Sequence, residues 1–472
     1  MELQLEQQQI PCLILAANRS AEERFSSDFV VPDALPDAAE LLLTEGDLCL
    51  WRLDLSEGSA ELEGEISVRI CCADENGTLT SFSVRVPVLM HLRAEAIAPG
   101  QRPFLHCCIG NMTSHLIHSR KVRVQGMIRC ALVTYDPSEI TVTTGIRAEE
   151  RKIFQRKEHM LLPHVSAVEE QVITAEETLL LGRGVPSDGR LISYASAVIA
   201  DDCECQDQRV AVKGRICTSL LYQDAETQEL ISEEVETPFS CLLDVNGEAA
   251  KCRLSLHLTS EEVRCRNDDP AVDTAFHVLV QAVCYAEKDV ECVADAYSNE
   301  ADLRLHWAEL SLPQLLQETE QSTIEENVPC ELGERSICAV RTGVPGEKII
   351  VTMLLQDSEH RFSSVIGTLK PGCAADRLGQ PTVQRGDQGQ VVRVPITVQK
   401  NQEKMISFSN LSAADEEERL NVPSSGVTLV RRDEAADLWK LAKENGSSVE
   451  AIEKANPEQE QTRKWLVIPH VI

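Results

Sequence analysis

A short strand-like segment occurs four times in this chain, and its spacing constrains the fold more than any other feature. The copies, at residues 60–64, 122–126, 210–214 and 278–282, alternate apolar with other residues and end in Gly or Ala. Alternation with a period of two predicts a half-buried strand, and the small closing residue predicts a bulge or a close backbone approach. The first and third copies lie 210 − 60 = 150 residues apart, and the second and fourth 278 − 122 = 156. The repeat is therefore a tandem domain and not a solenoid, whose period is about 20 to 50 residues.

A second spacing supports the repeat. Pro87 follows Gly64 by 87 − 64 = 23 residues, and Pro238 follows Gly214 by 238 − 214 = 24 residues. We therefore predict a mainly β chain, with tandem antiparallel, sandwich-like domains at residues 1–150 and 151–300. Residues 151–159 form a local basic cluster, for which we predict a solvated connector, with docking of an acidic partner as the alternative.

The pattern changes beyond residue 300. Residues 308–321 are rich in Leu, Gln and Glu and predict a helical connector at 301–323. Strand patterns return at 348–355 and 391–398, so we predict a shortened third β domain at 324–410. An acidic, turn-rich linker at 411–426 then leads to a small domain at 427–472.

Charge and apolar content exclude several classes of protein. The formal net charge is −31 at pH 7, which argues against binding to nucleic acid or to anionic membranes, since both require clustered Lys and Arg. The N-terminus lacks the basic and apolar regions of a signal peptide, and no apolar run approaches the roughly 20 residues of a spanning helix. We expect a cytoplasmic chain without membrane insertion.

The 18 cysteines are scattered, and we interpret them as small hydrophobic residues. Cys107 and Cys108 beside His106 are of zinc-ligand type, but adjacent strand residues point to opposite faces. Cys203 and Cys205 have same-face spacing, yet no second ligand pair is near them in the sequence. We predict no metal site and no cofactor. The sequence also lacks the serine-nucleophile, phosphate-loop and zinc-protease motifs, so we predict no catalytic residues and no enzymatic activity.

The tail predicts a β-α-α-β domain. Leu438, Leu441 and Ala442 have the spacing of one helical face, and Ser447 to Glu450 form a capping box that opens a second helix. The spacing of apolar residues predicts a core made of Leu438, Trp439, Leu441, Ile452, Trp465 and Ile468. The phase of the first helix places partner contacts on its other side, at Lys440, Lys443 and Glu444, with Asn456 nearby.

Residues 438–443, 449–456 and 466–469 of this tail resemble a LysM domain. They match its Leu-Trp-x-x-Ala helix, its second helix ending in Asn and its closing Leu-x-Ile-Pro strand. The family's Gly-Asp-Thr or Gly-Asp-Ser turn is replaced here by residues 433–437, and the Pro-Gly before the last strand is absent. In the family these turns shape the groove that holds N-acetylated glycan.

The repeated β units share a further set of motifs: Pro32-Asp33, Pro36-Asp37, Arg120 to Val122, strand 210–214 with Leu221-Tyr222, Pro238-Phe239, and 295–298. In these residues the units resemble SPOCS domains of the SipL type, which occur in endospore-forming bacteria. Tandem SPOCS units followed by one terminal LysM domain form the SipL architecture.

This resemblance implies a non-enzymatic role in spore-envelope assembly, in the mother-cell cytosol at the forespore surface. It also implies that the LysM-like tail contacts a spore-coat morphogenetic protein, the coat-basement ATPase. The alternative is a peptidoglycan-binding protein of the cell wall or spore cortex, which would use the retained Leu438-Trp439 helix and Asn456.

Overall fold

The computed structural model consists mainly of β-strands, with two short α-helices in the residues that it describes. It describes residues 3–149, 151–206, 208–266, 269–343, 348–371, 377–386, 389–417, 426–431, 437–457 and 465–471. The pairings within the units are antiparallel, so the prediction of a mainly β chain with antiparallel sheets is confirmed.

Three successive units each begin and end with a long strand, and the two long strands of a unit pair with each other. The opening strands begin at regular intervals, since 153 − 4 = 149 and 302 − 153 = 149. The long strands are β1 (Gln4–Val30) and β6 (Lys121–Arg147) in unit 1, β7 (Ile153–Leu180) and β12 (Ala271–Ser298) in unit 2, and β13 (Asp302–Val328) and β19 (Gly389–Glu417) in unit 3.

A three-stranded meander and one or two further strands lie between the long strands of each unit. Their inward residues alternate with outward ones, as the period of a pleated strand requires. Unit 1 contains β2 (Glu40–Ser56), β3 (Ser59–Ala73), β4 (Leu79–Arg93) and β5 (Arg102–His118). Unit 2 contains β8 (Ser193–Gln206), β9 (Arg209–Gln223), β10 (Leu230–Asp244) and β11 (Lys251–Cys265). Unit 3 contains β14 (Ser336–Thr342), β15 (Ile349–Gln356), β16 (Phe362–Leu369), β17 (Arg377–Leu378) and β18 (Thr382–Gly386).

Units 1 and 2 share one nine-stranded sheet, in the order β4-β3-β2-β11-β12-β7-β1-β6-β5. The meander of unit 2 forms a separate sheet, β10-β9-β8, and the meander of unit 3 forms β14-β15-β16. Pro87 and Pro238 lie at equivalent places, on the edge strands β4 and β10, opposite the residue after the closing Gly. An edge strand tolerates Pro because its outer side needs no hydrogen-bond donor.

Closing residues Gly64 and Gly214 lie opposite β-bulges, as the sequence predicts. The bulges interrupt the pairing between Leu50 and Arg52 in β2 and between Ala200 and Asp202 in β8. A Cβ atom on either Gly would collide with a backbone carbonyl of the bulged strand. Gly126 has the same relation to a bulge in β5. The prediction is wrong for Ala282, whose pairing with both neighbouring strands is regular.

The predicted helical connector at 301–323 is wrong, because these residues belong to strand β13. Leu, Gln and Glu favour a helix by intrinsic propensity, but β19 pairs with β13 along its whole length and satisfies its backbone groups. The basic residues at 151–159 likewise lead into strand β7 instead of forming a connector.

Unit 3 therefore spans 302–417 and exceeds the predicted 324–410. The first part of the predicted acidic linker at 411–426 is strand, and Leu411 is fully buried. Residues 418–425 lie outside the described residues. Unit 3 is shorter than the other two because its long strands β13 and β19 start only 389 − 302 = 87 residues apart, against 121 − 4 = 117 in unit 1.

One hydrophobic cluster joins all three units. It contains Leu42, Leu43, Cys71 and Ala73 of unit 1, Leu221 and Leu230 of unit 2, and Ala339, Leu354 and Phe362 of unit 3. The tail follows with β20 (Val427–Arg431), α1 (Leu438–Glu444), α2 (Val449–Ala455) and β21 (Trp465–Pro469). Within the described residues, neither helix has the length or apolar character needed to cross a membrane.

Candidate functional site

Charged residues are buried where the three units meet. Glu45 of β2 and Arg341 of β14 form a two-pronged ion pair, with Arg341 Nε 2.8 Å from Oε1 and Nη2 3.0 Å from Oε2. Only 5% and 3% of their side-chain surfaces are exposed. Ser193 of unit 2 donates to the same carboxylate at 2.5 Å, and Arg341 donates to the Ser219 carbonyl at 2.7 Å. One ion pair therefore contacts all three units.

A second buried group links units 1 and 2 beside the first. Arg69 of β3 donates to Asp47 and, at 2.7 Å, to Glu261 of β11. Its guanidinium also stacks on the Tyr194 ring, 3.8 Å from the centroid. Burial, reinforced by the neighbouring Glu261, raises the pKa of Asp47 well above its usual value. Because these charges are paired between strands, they act as a structural junction.

The tail packs against the end of unit 2 that is formed by β7 and β12. Trp439 Nε1 donates to Asp295 Oδ2 at 2.7 Å, and Lys443 Nζ lies 2.6 Å from Asp295 Oδ1. The Trp439 ring meets the Tyr297 ring edge to face, with centroids 4.9 Å apart. Burial raises the pKa of Asp295, but its hydrogen bonds with Lys443 and Trp439 outweigh this effect and lower it.

Further contacts fix the same junction. Tyr297 Oη donates to the Ser447 carbonyl at 2.9 Å, and Asn299 Nδ2 donates to the Val471 carbonyl at 2.7 Å. Phe154 of β7 stacks against the Tyr297 ring, with 5.0 Å between the ring centroids. From the basic cluster, Arg156 lies 3.4 Å from Asp437 of the tail. Residues of unit 2 and of the tail thus form one continuous packed surface.

The four residues that we predicted for partner contact lie in three different environments. Lys443 is engaged with Asp295 of unit 2. Asn456 joins α2 to β21, because its amide donates to the Val467 carbonyl at 2.6 Å and accepts from the Val467 N–H at 2.8 Å. Lys440 and Glu444 are exposed, and their charged groups lie 3.9 Å apart along α1.

The residues predicted for the tail core also differ in their surroundings. Ile452 and Ile468 are buried, whereas Leu438, Trp439 and Leu441 are half-buried and pack against the tail cluster that includes Tyr297. The prediction is wrong for Trp465, which is 55% exposed. It lies on the outer face of the sheet because its neighbour Leu466 points inward. Of the residues that replace the LysM turn, 433–436 lie outside the described part of the chain.

An apolar strip covers the outer face of the tail sheet. Val427 and Leu429, two residues apart on β20, are each 60% exposed. Trp465 on β21 is a diagonal neighbour of Leu429, which pairs with Val467. We call Val427, Leu429 and Trp465 the tail strip. It faces away from the buried residues of the tail, and local sequence reasoning missed it because it assigned Trp465 to the core.

A cysteine cluster lies in unit 2, between β8 of one sheet and β11 of another. The sulfur atoms of Cys203, Cys205 and Cys252 all lie within 4.8 Å of one another, with 2.7 Å between Cys203 and Cys252. Cys284 pairs directly with Cys252 on the neighbouring strand. Sequence spacing links Cys203 with Cys205 but does not link them with Cys252, because Cys252 lies 252 − 205 = 47 residues after Cys205.

Contacts among these thiols shift their pKa values in opposite directions. Hydrogen bonds with Cys203 and Cys252 lower the pKa of Cys205, whereas contacts with Cys203 and Cys205 raise the pKa of Cys252. A second group, Cys217 with Glu234 and Glu236, is more exposed and contains a single thiol. Cys203, Cys205 and Cys252 are therefore the stronger candidate for holding a metal ion.

Comparison with known proteins finds no matching family model, no matching curated protein and no matching solved structure.

Proposed function

We propose that this chain is a non-enzymatic scaffold in the assembly of the bacterial endospore coat. In this proposal it acts in the mother cell at the forespore surface, and its tail binds a coat-basement morphogenetic ATPase. The proposal combines the resemblance of the sequence to SipL-type SPOCS units and a LysM domain with the surface of the tail.

The tail strip is the observation that carries this proposal. Val427, Leu429 and Trp465 expose more than half of their surfaces in a domain of under 50 residues. A cluster of exposed apolar side chains on a small domain marks a contact surface for another macromolecule. Such residues, and Trp above all, provide most of the binding energy at protein interfaces.

The docking of the tail gives the strip its orientation. Asp295, Tyr297 and Asn299 hold one side of the tail to unit 2, which leaves the strip to face outward. The exposed pair Lys440 and Glu444 on α1 remains available as a polar contact. The repeated units then act as a rigid support, because buried ion pairs connect all three of them.

The test is a binding assay with the full-length chain, offered the coat-basement ATPase of the same organism and, separately, purified peptidoglycan. We expect binding to the ATPase and none to peptidoglycan. Leu429→Asp places a charge in the strip and should weaken ATPase binding at least about tenfold, as loss of an interface hot spot does. The matched control is Ile366→Asp, at a residue that is 64% exposed on β16 of unit 3.

Two results contradict the proposal. If neither Leu429→Asp nor Lys440→Glu weakens ATPase binding, the tail surface is not the site of contact with the ATPase. Binding to peptidoglycan without binding to the ATPase favours the alternative, a LysM protein of the cell wall or cortex. Hydrogen exchange of α1 in each variant checks that the tail remains folded and packed against unit 2.

A further inference from the structure

We propose that Cys203, Cys205 and Cys252 bind a zinc ion that ties the two sheets of unit 2 together. Cys203 and Cys205 come from β8, an edge strand of the sheet β10-β9-β8, and Cys252 comes from β11 of the nine-stranded sheet. A single ion would therefore cross-link two elements that share no backbone hydrogen bonds in the described pairings. This inference is independent of the proposed function of the tail.

The bulge in β8 is what turns two cysteines inward. Before the bulge, the residues of β8 that pack on the unit 2 core are even-numbered, including Val198 and Ala200. After the bulge between Ala200 and Asp202 they are Cys203 and Cys205. Without the extra residue, both thiols would point to the opposite face. The cluster thus depends on the same glycine-linked bulge that marks the repeat in the sequence.

Sulfur spacing fits a thiolate site. Sulfur atoms on a tetrahedral zinc lie about 3.8 Å apart, given a Zn–S distance of about 2.3 Å. The three sulfurs here lie within 4.8 Å, with the closest pair at 2.7 Å, so small side-chain rotations bring all three to that separation. Thiolate ligands select zinc over magnesium or calcium.

Cys284 is the candidate for the fourth ligand. It lies directly opposite Cys252 in the β11–β12 pairing, so their side chains occupy the same face of the sheet. Cys284 is fully buried, whereas Cys203 and Cys205 are half-buried. The ion can therefore enter from the side of β8, and either Cys284 or a water molecule completes the tetrahedron.

Unit 1 supplies an internal comparison. Leu53 and Leu55 occupy the places of Cys203 and Cys205, since they follow the equivalent bulge and pair with residues 62 and 60, as the cysteines pair with 212 and 210. The bulge of β5 at Ile109–Asn111 corresponds to the bulge of β11 at Leu258–Ser260, which aligns Ile128 with Val278 at 278 − 128 = 150 residues and not at the 156 of the sequence repeat. In this alignment Pro103 and Thr134 take the places of Cys252 and Cys284. The repeated fold therefore does not require Cys at any of these four positions, and in unit 2 all four are Cys.

The test uses the full-length chain, reduced, treated with EDTA and then given zinc alone. We expect one zinc per chain after gel filtration, measured by elemental mass spectrometry, and a thiolate-to-cobalt charge-transfer band when cobalt replaces zinc. Cys205→Ser and Cys252→Ser should each weaken zinc binding at least about tenfold. Cys241→Ser, which changes another core cysteine of unit 2, should leave it unchanged.

Three results overturn the proposal. The first is a wild-type chain without a cobalt–thiolate band, a result that does not depend on any variant folding. The second is equal zinc binding by wild type, Cys205→Ser and Cys252→Ser. The third is a Cys203–Cys252 disulfide in peptide maps of the freshly purified protein, since a disulfide removes two of the three ligands. Circular dichroism in EDTA establishes that each variant is folded.

Discussion

Units 1 and 2 have the same order and pairing of strands within each unit, but they carry different residues at two sets of equivalent positions. In one place, unit 1 packs Leu53 and Leu55 where unit 2 has Cys203 and Cys205. In the other, at the end of the last long strand, unit 1 has Gly145 where unit 2 has Asp295. The second place is where unit 2 holds the tail.

This difference separates residues that specify the fold from residues that add a property to it. The bulge glycines Gly64 and Gly214 are common to both units because each faces a close backbone carbonyl. The thiols and the Asp295 carboxylate occur in unit 2 and not at the equivalent positions of unit 1. Unit 1 can therefore serve as the reference for unit 2 in measurements on the same chain.

The largest expected effect tests whether the two units form one body. Arg69→Met removes the cation between Asp47 and Glu261 and leaves two carboxyl groups buried together. Breaking a buried pair in this way costs about 3–5 kcal/mol, so the midpoint of urea unfolding should fall sharply, in one transition. Arg85→Met, in an exposed pair with Glu65, is the control and should cost at most about 1 kcal/mol.

The pH dependence of this variant gives a second check. Burial raises the pKa of Asp47 in the folded state, so protonation favours folding and the gain is lost as pH rises from its ordinary value of 3.8 toward the folded value. Without Arg69 the loss should be larger, so Arg69→Met should be less destabilising near pH 5 than near pH 8. Separate unfolding of unit 1 and unit 2 in the wild-type chain would contradict a shared body.

The next effect compares the two bulges directly. Gly64→Ala and Gly214→Ala each force a Cβ against a backbone carbonyl, which should lower the free energy of unfolding by about 1–3 kcal/mol in both units. Only Gly214→Ala should also weaken zinc binding, because only that bulge orients Cys203 and Cys205. Gly110→Ala is the control, since its nearest neighbours at 3.2 and 3.4 Å are flexible side-chain ends. Equal zinc binding by Gly214→Ala and wild type would contradict the claim that the bulge in β8 orients Cys203 and Cys205 for the ion.

A smaller effect concerns the tail. Asp295→Ala removes the acceptor of Trp439 and Lys443, and we expect docking to weaken by about 1 kcal/mol, because this site is partly exposed. Hydrogen exchange of α1 should therefore increase. The control is Asp289→Ala, on the same strand β12 as Asp295, which removes an exposed contact with His159 of β7 and should not change this exchange.

The sign of the pH effect at Asp295 follows from its lowered pKa. Its ordinary value is 3.8, so the docking contribution is complete above that pH and is lost as pH falls through the lower folded value. Exchange in α1 of the wild-type chain should therefore be constant from pH 5 to 8 after correction for intrinsic rates. An increase within that range would mean that another group controls docking.

The sequence predicts features that are local or repeated, such as strands and bulges. It does not predict features that depend on contact with a strand distant in the sequence. Gly64 and Gly214 identify both the repeat and its bulges, because the alternation around them is visible within a few residues. Residues 308–321 have a helix-favouring composition, yet they form a strand because β19 pairs with them. Lys443 is exposed by helical phase, yet its partner Asp295 lies 148 residues away. Cys252 joins Cys203 and Cys205 only because β11 folds over β8, and no local spacing shows that contact.

The variant with the smallest expected effect on stability gives the most direct comparison of units 1 and 2. Cys203→Leu with Cys205→Leu gives unit 2 the residues of unit 1, at half-buried places that accommodate Leu in the same frame. In EDTA, the free energy of unfolding should change by less than about 1 kcal/mol, because both places are half-buried and the longer Leu side chains can extend toward solvent instead of overpacking the core. With zinc present, wild type should gain stability and the double variant should gain none, because stabilisation requires binding to the folded state. Equal gains in both chains would place the zinc at another site. A loss of folding in EDTA would show that the fold of unit 2 requires these cysteines, although unit 1 has Leu at the equivalent positions.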